Sequence, residues 1–188
     1  LSIHSFPTRR SSDLDLDLDL SATLLGMASN VTRDPIHQQY LRLALEEAAK
    51  CVATPTAFCV GAIIVSSSLP PRILATGFSR ELPGNTHAEQ CAIDKFLAEH
   101  PEDGAAQLEG ASIYTTMEPC SVRLSGNVPC VERVVQARLG KVYMGVEEPK
   151  DFVECEGTRK LKASGAEVWV VEDDGLREAC LKEARRGH

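Results

Sequence analysis

Three residues of this 188-residue chain carry nitrogen or sulfur donors where loops give way to regular structure. They are His87, just after Pro83-Gly84-Asn85, Cys120 after Pro119, and Cys130 after Pro129. Zinc takes imidazole and thiolate ligands in a tetrahedron, and a catalytic zinc site keeps three protein ligands and leaves the fourth corner to water. One histidine and two cysteines match that count. The prolines favour rigid turns into the two cysteines. A helix start lowers a thiol pKa by offering free N–H groups and a positive dipole end. Glu89, two residues past His87, falls on the first helical turn, near a metal it need not bind. A carboxylate placed there takes a proton from water and delivers it to a substrate. Taken singly, a histidine before a helix is commonly a cap and a lone cysteine is core filling. Their joint order predicts a zinc site. A closed structural site would need a fourth ligand, for which Cys91 is the nearest contender; core packing is the expectation for it and for Cys51, Cys59, Cys155 and Cys180. His37 is expected to be structural or surface.

The apolar pattern supplies the elements that hold these groups. Asp34 as N-cap and Pro35 at the first helical position open a helix with an apolar face through Ile36, Tyr40, Leu41, Leu43, Leu45 and Ala48, ending near Cys51. Val60 to Val65 reads as a buried strand, Ser66 to Pro71 as a turn, and Arg72 to Phe78 as the hairpin partner. Ala88 to His100 is predicted helical until Pro101, Ala111 to Thr116 a strand, Val128 to Arg138 a helix and Lys141 to Val146 a strand. Gly157 to Ala163 follows as a short helix, Glu167 to Val171 as the last strand and Asp174 to Arg185 as a closing helix. Strands joined through helices run parallel, so this order implies an α/β sandwich with a mixed five-stranded sheet. Chemistry-bearing groups are then expected at strand ends and helix N-termini.

Composition narrows the function classes. A hydrophobic fraction of 43% and a charged fraction of 25% are those of a globular protein. No apolar run approaches the roughly 20 residues a bilayer span needs, so no membrane association is expected. Twenty basic against 27 acidic residues give a net charge of −7, with nine aromatics (Phe 5, Tyr 3, Trp 1). No basic stripe interleaved with aromatics is visible, which argues against nucleic acid as a partner. Seven cysteines without a secretory pattern argue for reduced thiols and a cytoplasmic location. Residues 1–30 read unlike the rest, with Arg9-Arg10 and four Asp-Leu pairs from Asp13 to Leu20, and are expected to be a disordered or non-native tail. Residues 31–188 are expected to form one domain.

At these same residues the chain resembles the zinc-dependent cytidine-deaminase-like superfamily, whose signature is H-x-E followed by P-C-x-x-C. Here it reads His87-Ala88-Glu89 and Pro119-Cys120, with Arg123 where the short spacing would put the second cysteine and Cys130 taking that part. The long inter-cysteine loop is similar to that of riboflavin-pathway pyrimidine deaminases, closest to the fungal group. The stretches that carry this are Cys59 to Val65, His87 to Ala92 and Met117 to Arg133. The resemblance implies a three-layer α/β/α sandwich, one zinc per chain, a homodimer and a stand-alone deaminase without the reductase fused to it in bacterial members. It implies hydrolytic loss of the 2-amino group of 2,5-diamino-6-ribitylamino-4(3H)-pyrimidinone 5′-phosphate, with Glu89 as proton shuttle. Bacterial members carry N-P-x-V-G before the first strand and a histidine after the first Cys-Ser. This chain has Ala57-Phe58-Cys59-Val60-Gly61 and Val122 there, so those contacts must come from elsewhere. Arg123, Ser125 and Asn127 are candidates for the phosphate, and Asn85 and Ala88 for the ring or ribityl chain. Two alternatives stand beside this reading: a deaminase of a cytosine or guanine compound, and a non-catalytic zinc-binding partner subunit, which would have no need of Glu89.

Overall fold

The computed structural model describes residues 29–147 and 156–188. The tail up to residue 28 and Cys155 lie outside them. The elements, in chain order, are β1 (Asn30–Thr32), α1 (Pro35–Ala48), β2 (Gly61–Val65), β3 (Ile73–Phe78), α2 (Ala88–Glu99), α3 (Gly104–Leu108), β4 (Ser112–Thr115), α4 (Cys130–Gln136), β5 (Lys141–Met144), α5 (Glu156–Ala163), β6 (Glu167–Val171) and α6 (Asp174–Ala184). Helix α1 begins as its sequence demands: the Asp34 side chain accepts from the Ile36 N–H at 3.0 Å, and Pro35 occupies the first turn.

The strands form one sheet in the order β1-β6-β5-β4-β2-β3. Strand β2 runs antiparallel to both β3 and β4, while β4, β5, β6 and β1 run parallel to one another. The sheet therefore has six strands, not five. The additional strand, β1, is three residues long and pairs Asn30, Val31 and Thr32 with Trp169, Val170 and Val171. Its polar ends and brevity leave no alternating signal, and only the free edge of β6 makes it a strand. The short helix α3 was likewise unmarked, five residues following Pro101.

Successive residues of a strand face opposite sides of the sheet, and both sides here are covered. Ala62, Ile64, Ile113 and Val142 meet Ala92, Phe96, Val134 and Leu161 from α2, α4 and α5. Ile63, Val65, Tyr114 and Tyr143 meet Leu41, Ala44, Leu176 and Cys180 from α1 and α6. This is the three-layer sandwich. Helix α2 lies very close to β3: a Cβ on Gly77 would overlap the Ala88 carbonyl and come within 2.6 Å of the Ala92 nitrogen. Glycine at that point fixes how near the sheet α2 begins.

On the α1 side the ring of His37 stacks on Tyr143 with centroids 4.1 Å apart, and its Nδ1 lies 2.8 Å from the Tyr114 hydroxyl. Burial lowers its pKa below the usual histidine value, aided by Lys141 and opposed by Asp34. The folded state thus favours the neutral ring. His37 contributes its full stability above the unfolded pKa of about 6.5, and loses it as pH falls from there through the lower folded value. Urea unfolding of the parent should accordingly weaken as pH falls below about 6.5 more than that of His37→Gln; parallel curves would exclude this role.

Candidate metal centre

His87 caps α2 with extended backbone (φ −97°, ψ 162°), which turns its side chain off the helix axis. Cys130 is the first residue of α4 behind Pro129. Cys120 lies in the irregular chain between β4 and α4. His87 Nδ1 stands 3.4 Å from Cys120 Sγ and 3.4 Å from Cys130 Sγ, and the three donor atoms all lie within 4.8 Å of one another. Zn–S bonds of about 2.3 Å and Zn–N bonds of about 2.0–2.1 Å at tetrahedral angles put nitrogen and sulfur about 3.5 Å apart. The donor set fits zinc. Cys91 is fully buried in the core and stands apart from this cluster, and Cys51, Cys59 and Cys180 are buried as well.

The two thiols are unequal. A hydrogen bond from Cys130 pulls the Cys120 thiol down to about 4, with further help from His87 and from the Cys130 N–H, which donates to Cys120 Sγ at 3.4 Å. The same bond, together with burial, pushes Cys130 well up. Both sulfurs would have to be deprotonated to hold a divalent cation. Glu89 is 3% exposed, with its pKa raised first by burial and then by the Cys120 thiolate, against His87. The Thr115 hydroxyl lies 3.5 Å from Glu89 Oε1. A carboxyl so placed takes up a proton readily and can give it to a group above it.

His87, Glu89 and Cys120 line a cavity of about 400 Å³, within the range of small-molecule sites. Of the residues singled out in the sequence, Asn85, Arg123 and Ser125 also line it, whereas Ala88 is fully buried in the core and Asn127 is exposed away from it. Arg123 donates to Gln90 Oε1 at 3.0 Å and to the Asn85 carbonyl. These bonds tie the inter-cysteine loop to residues on both sides of His87. The sequence reading missed the opposite wall, formed by Phe58 before β2 and Arg80 after β3. Arg80, in the left-handed region (φ 65°), donates to the carbonyls of Val52 at 2.6 Å and Phe58 at 3.2 Å. The one available signal was the departure from N-P-x-V-G at Ala57 to Gly61, which marked the segment without saying what it does.

Residues 34–146 match the cytidine and deoxycytidylate deaminase zinc-binding region. The chain belongs to this family. Among its relatives, diaminohydroxyphosphoribosylamino-pyrimidine deaminase of Schizosaccharomyces pombe is 49% identical over 152 residues, covering 81% of this chain and 36% of the yeast protein. This chain thus spans little more than a third of that relative. The crystal structure of Aspergillus oryzae Rib2 deaminase in complex with DARIPP, a C-terminal deletion mutant, superposes with a TM-score of 0.70 at 39% identity, covering 81% of this chain and 91% of the other. A cyanophage S-TIM5 dCMP deaminase superposes with a TM-score of 0.53 at 25% identity, over 74% of this chain and 99% of the other. The match to the deaminase zinc-binding region takes in all three donors and Glu89. Metal analysis of purified protein should therefore find one zinc per chain, and Cys120→Ser or Cys130→Ser should carry almost none; undiminished zinc in either variant would remove that cysteine from the site.

Proposed function

We propose that this chain is the hydrolytic deaminase that removes the 2-amino group of 2,5-diamino-6-ribitylamino-4(3H)-pyrimidinone 5′-phosphate in riboflavin biosynthesis, with residues 31–188 as the deaminase domain. The observation that carries the reading is the buried Glu89 carboxyl beside a three-donor zinc site at the floor of a cavity. The 49% identity to the fission yeast pyrimidine deaminase supports this choice of substrate. The reading takes the enzyme to be cytoplasmic; separately, no helix among the described residues is long and apolar enough to cross a membrane. The reading includes a homodimer and has no place for a nucleic-acid partner.

When bound, zinc lowers the pKa of water towards neutrality and so supplies a nucleophile. The protein does the rest. His87, Cys120 and Cys130 would hold the ion. Glu89 would take a proton from the attacking water at a carboxylate oxygen and place it on a ring nitrogen of the pyrimidine as the water oxygen bonds to C2. It would then move the remaining proton of the added hydroxyl to the 2-amino group, so that C2=O forms as the C2–N bond breaks and ammonia leaves. Burial of Glu89 raises its pKa and so favours the protonated form the shuttle needs. Asn85 faces the ring or ribityl chain. Arg123 and Ser125, which line the cavity, serve the phosphate, while Asn127 lies outside its lining, and Ala88 contributes backbone alone, since its methyl is buried.

Glu89 also weighs against a non-catalytic zinc subunit, which would need no buried acid. Ammonia release should be seen with the ribitylaminopyrimidine phosphate and not with dCMP or guanine. Release from either of the latter alone would reassign the substrate, and release from none of the three by zinc-loaded protein would favour the scaffold. Glu89→Gln should keep its zinc and lose roughly 100- to 10,000-fold in turnover; turnover near that of the parent would end the shuttle assignment.

A further inference from the structure

Of the three donors, Cys120 alone belongs neither to a helix nor to a helix cap. His87 is set by capping α2 and Cys130 by opening α4, so the position of Cys120 depends on what grips the backbone around it. Helix α4 grips one side, since the Val131 N–H donates to the Cys120 carbonyl at 3.2 Å. The other side meets α5. Glu118 is 5% exposed and has no part in the proton transfers above, yet its Oε1 accepts from both the Thr158 N–H at 2.9 Å and the Thr158 hydroxyl at 3.0 Å. Thr158 is the third residue of α5. The carboxylate therefore does for α5 what an N-cap side chain does for its own helix: it partners an N–H group that the helix start leaves open, at the positive end of the dipole.

The surrounding contacts are built for this approach. A Cβ on Gly157 would lie 2.8 Å from Glu118 Oε1 and 2.8 Å from the Pro119 carbonyl, so any larger residue would push the helix off the loop. Lys160 Nζ lies 3.4 Å from the Ser121 carbonyl, and the Glu118 N–H donates to the Val146 carbonyl at 2.8 Å. Residues 118–121 are thus gripped from α5 and from the chain beyond β5, with Cys120 in their midst.

We infer that Glu118 is a positioning residue of the metal centre, which by capping α5 from a distant part of the chain holds Cys120 against His87 and Cys130 and slows the loss of zinc. The inference rests on the zinc reading of the site and not on the identity of the substrate. Groups that orient a metal ligand typically change metal affinity by roughly 10- to 100-fold. The test is zinc transfer from the loaded protein to a chromophoric chelator, with the thiolate-to-metal absorption of the cobalt-substituted protein as a second readout. Glu118→Ala should release zinc about 10- to 100-fold faster and alter the cobalt spectrum. Thr158→Val should move both in the same direction, and Thr158→Ser, which keeps the hydroxyl, should match the parent. Leu108→Ala, a fully buried core truncation on α3, should lower thermal stability without either change. If Glu118→Ala fails to fold, Thr158→Val decides alone. Parental release and spectrum in Thr158→Val, or equal acceleration in Leu108→Ala, would overturn the inference. Neither readout requires turnover, so a wrong substrate would leave the result standing.

Discussion

The structure turns on holding one imidazole nitrogen and two sulfurs at 3.4 Å contacts although His87 lies 33 residues from Cys120 and 43 from Cys130. Burial and mutual hydrogen bonding shift the two thiols in opposite directions. Such a triangle does not follow from the local sequence around any one of the three residues. Its geometry must be imposed by packing elsewhere, and the fold can be read as the set of contacts that imposes it.

The imposition runs through the sheet. Strand β4 has partners on both sides, β2 and β5, so the loop that leaves its end towards Cys120 starts from a fixed point. Helix α2 begins at a depth set by Gly77, which admits Ala88 and Ala92 against β3, and this brings Glu89 under the same cavity as His87. Helix α4 points its first N–H groups at Cys120. Two helix starts and one strand end thus converge, where backbone N–H groups are free and thiolates and carboxylates are favoured.

The cavity above depends on arginines used as internal ties. Arg123 spans from the inter-cysteine loop to Asn85 and Gln90, and Arg80 fastens the segment from Val52 to Phe58. Both guanidiniums donate to carbonyl or amide oxygens of neighbouring segments. They define the shape of the pocket as well as its charge, and their planar forks suit contacts in two directions at once.

The metal donors, Glu89, the parallel order of the later strands and the hairpin of β2 and β3 were all legible in the chain, because each is written locally: a Pro-Cys pair, an H-x-E at a helix start, a β-branched run, a turn between apolar segments. The strand β1, the burial of Ala88, the wall formed by Phe58 and Arg80, and the partnership of Glu118 with Thr158 were not. Each of these is a relation between residues far apart in sequence, and such pairing leaves no periodic or spacing signal in either segment. Sequence alone determined which atoms can do chemistry here and which elements carry them. Only the tertiary structure decided the depth of the acid, the shape of the cavity and what grips Cys120, since those follow from the distance at which separately folded surfaces pack.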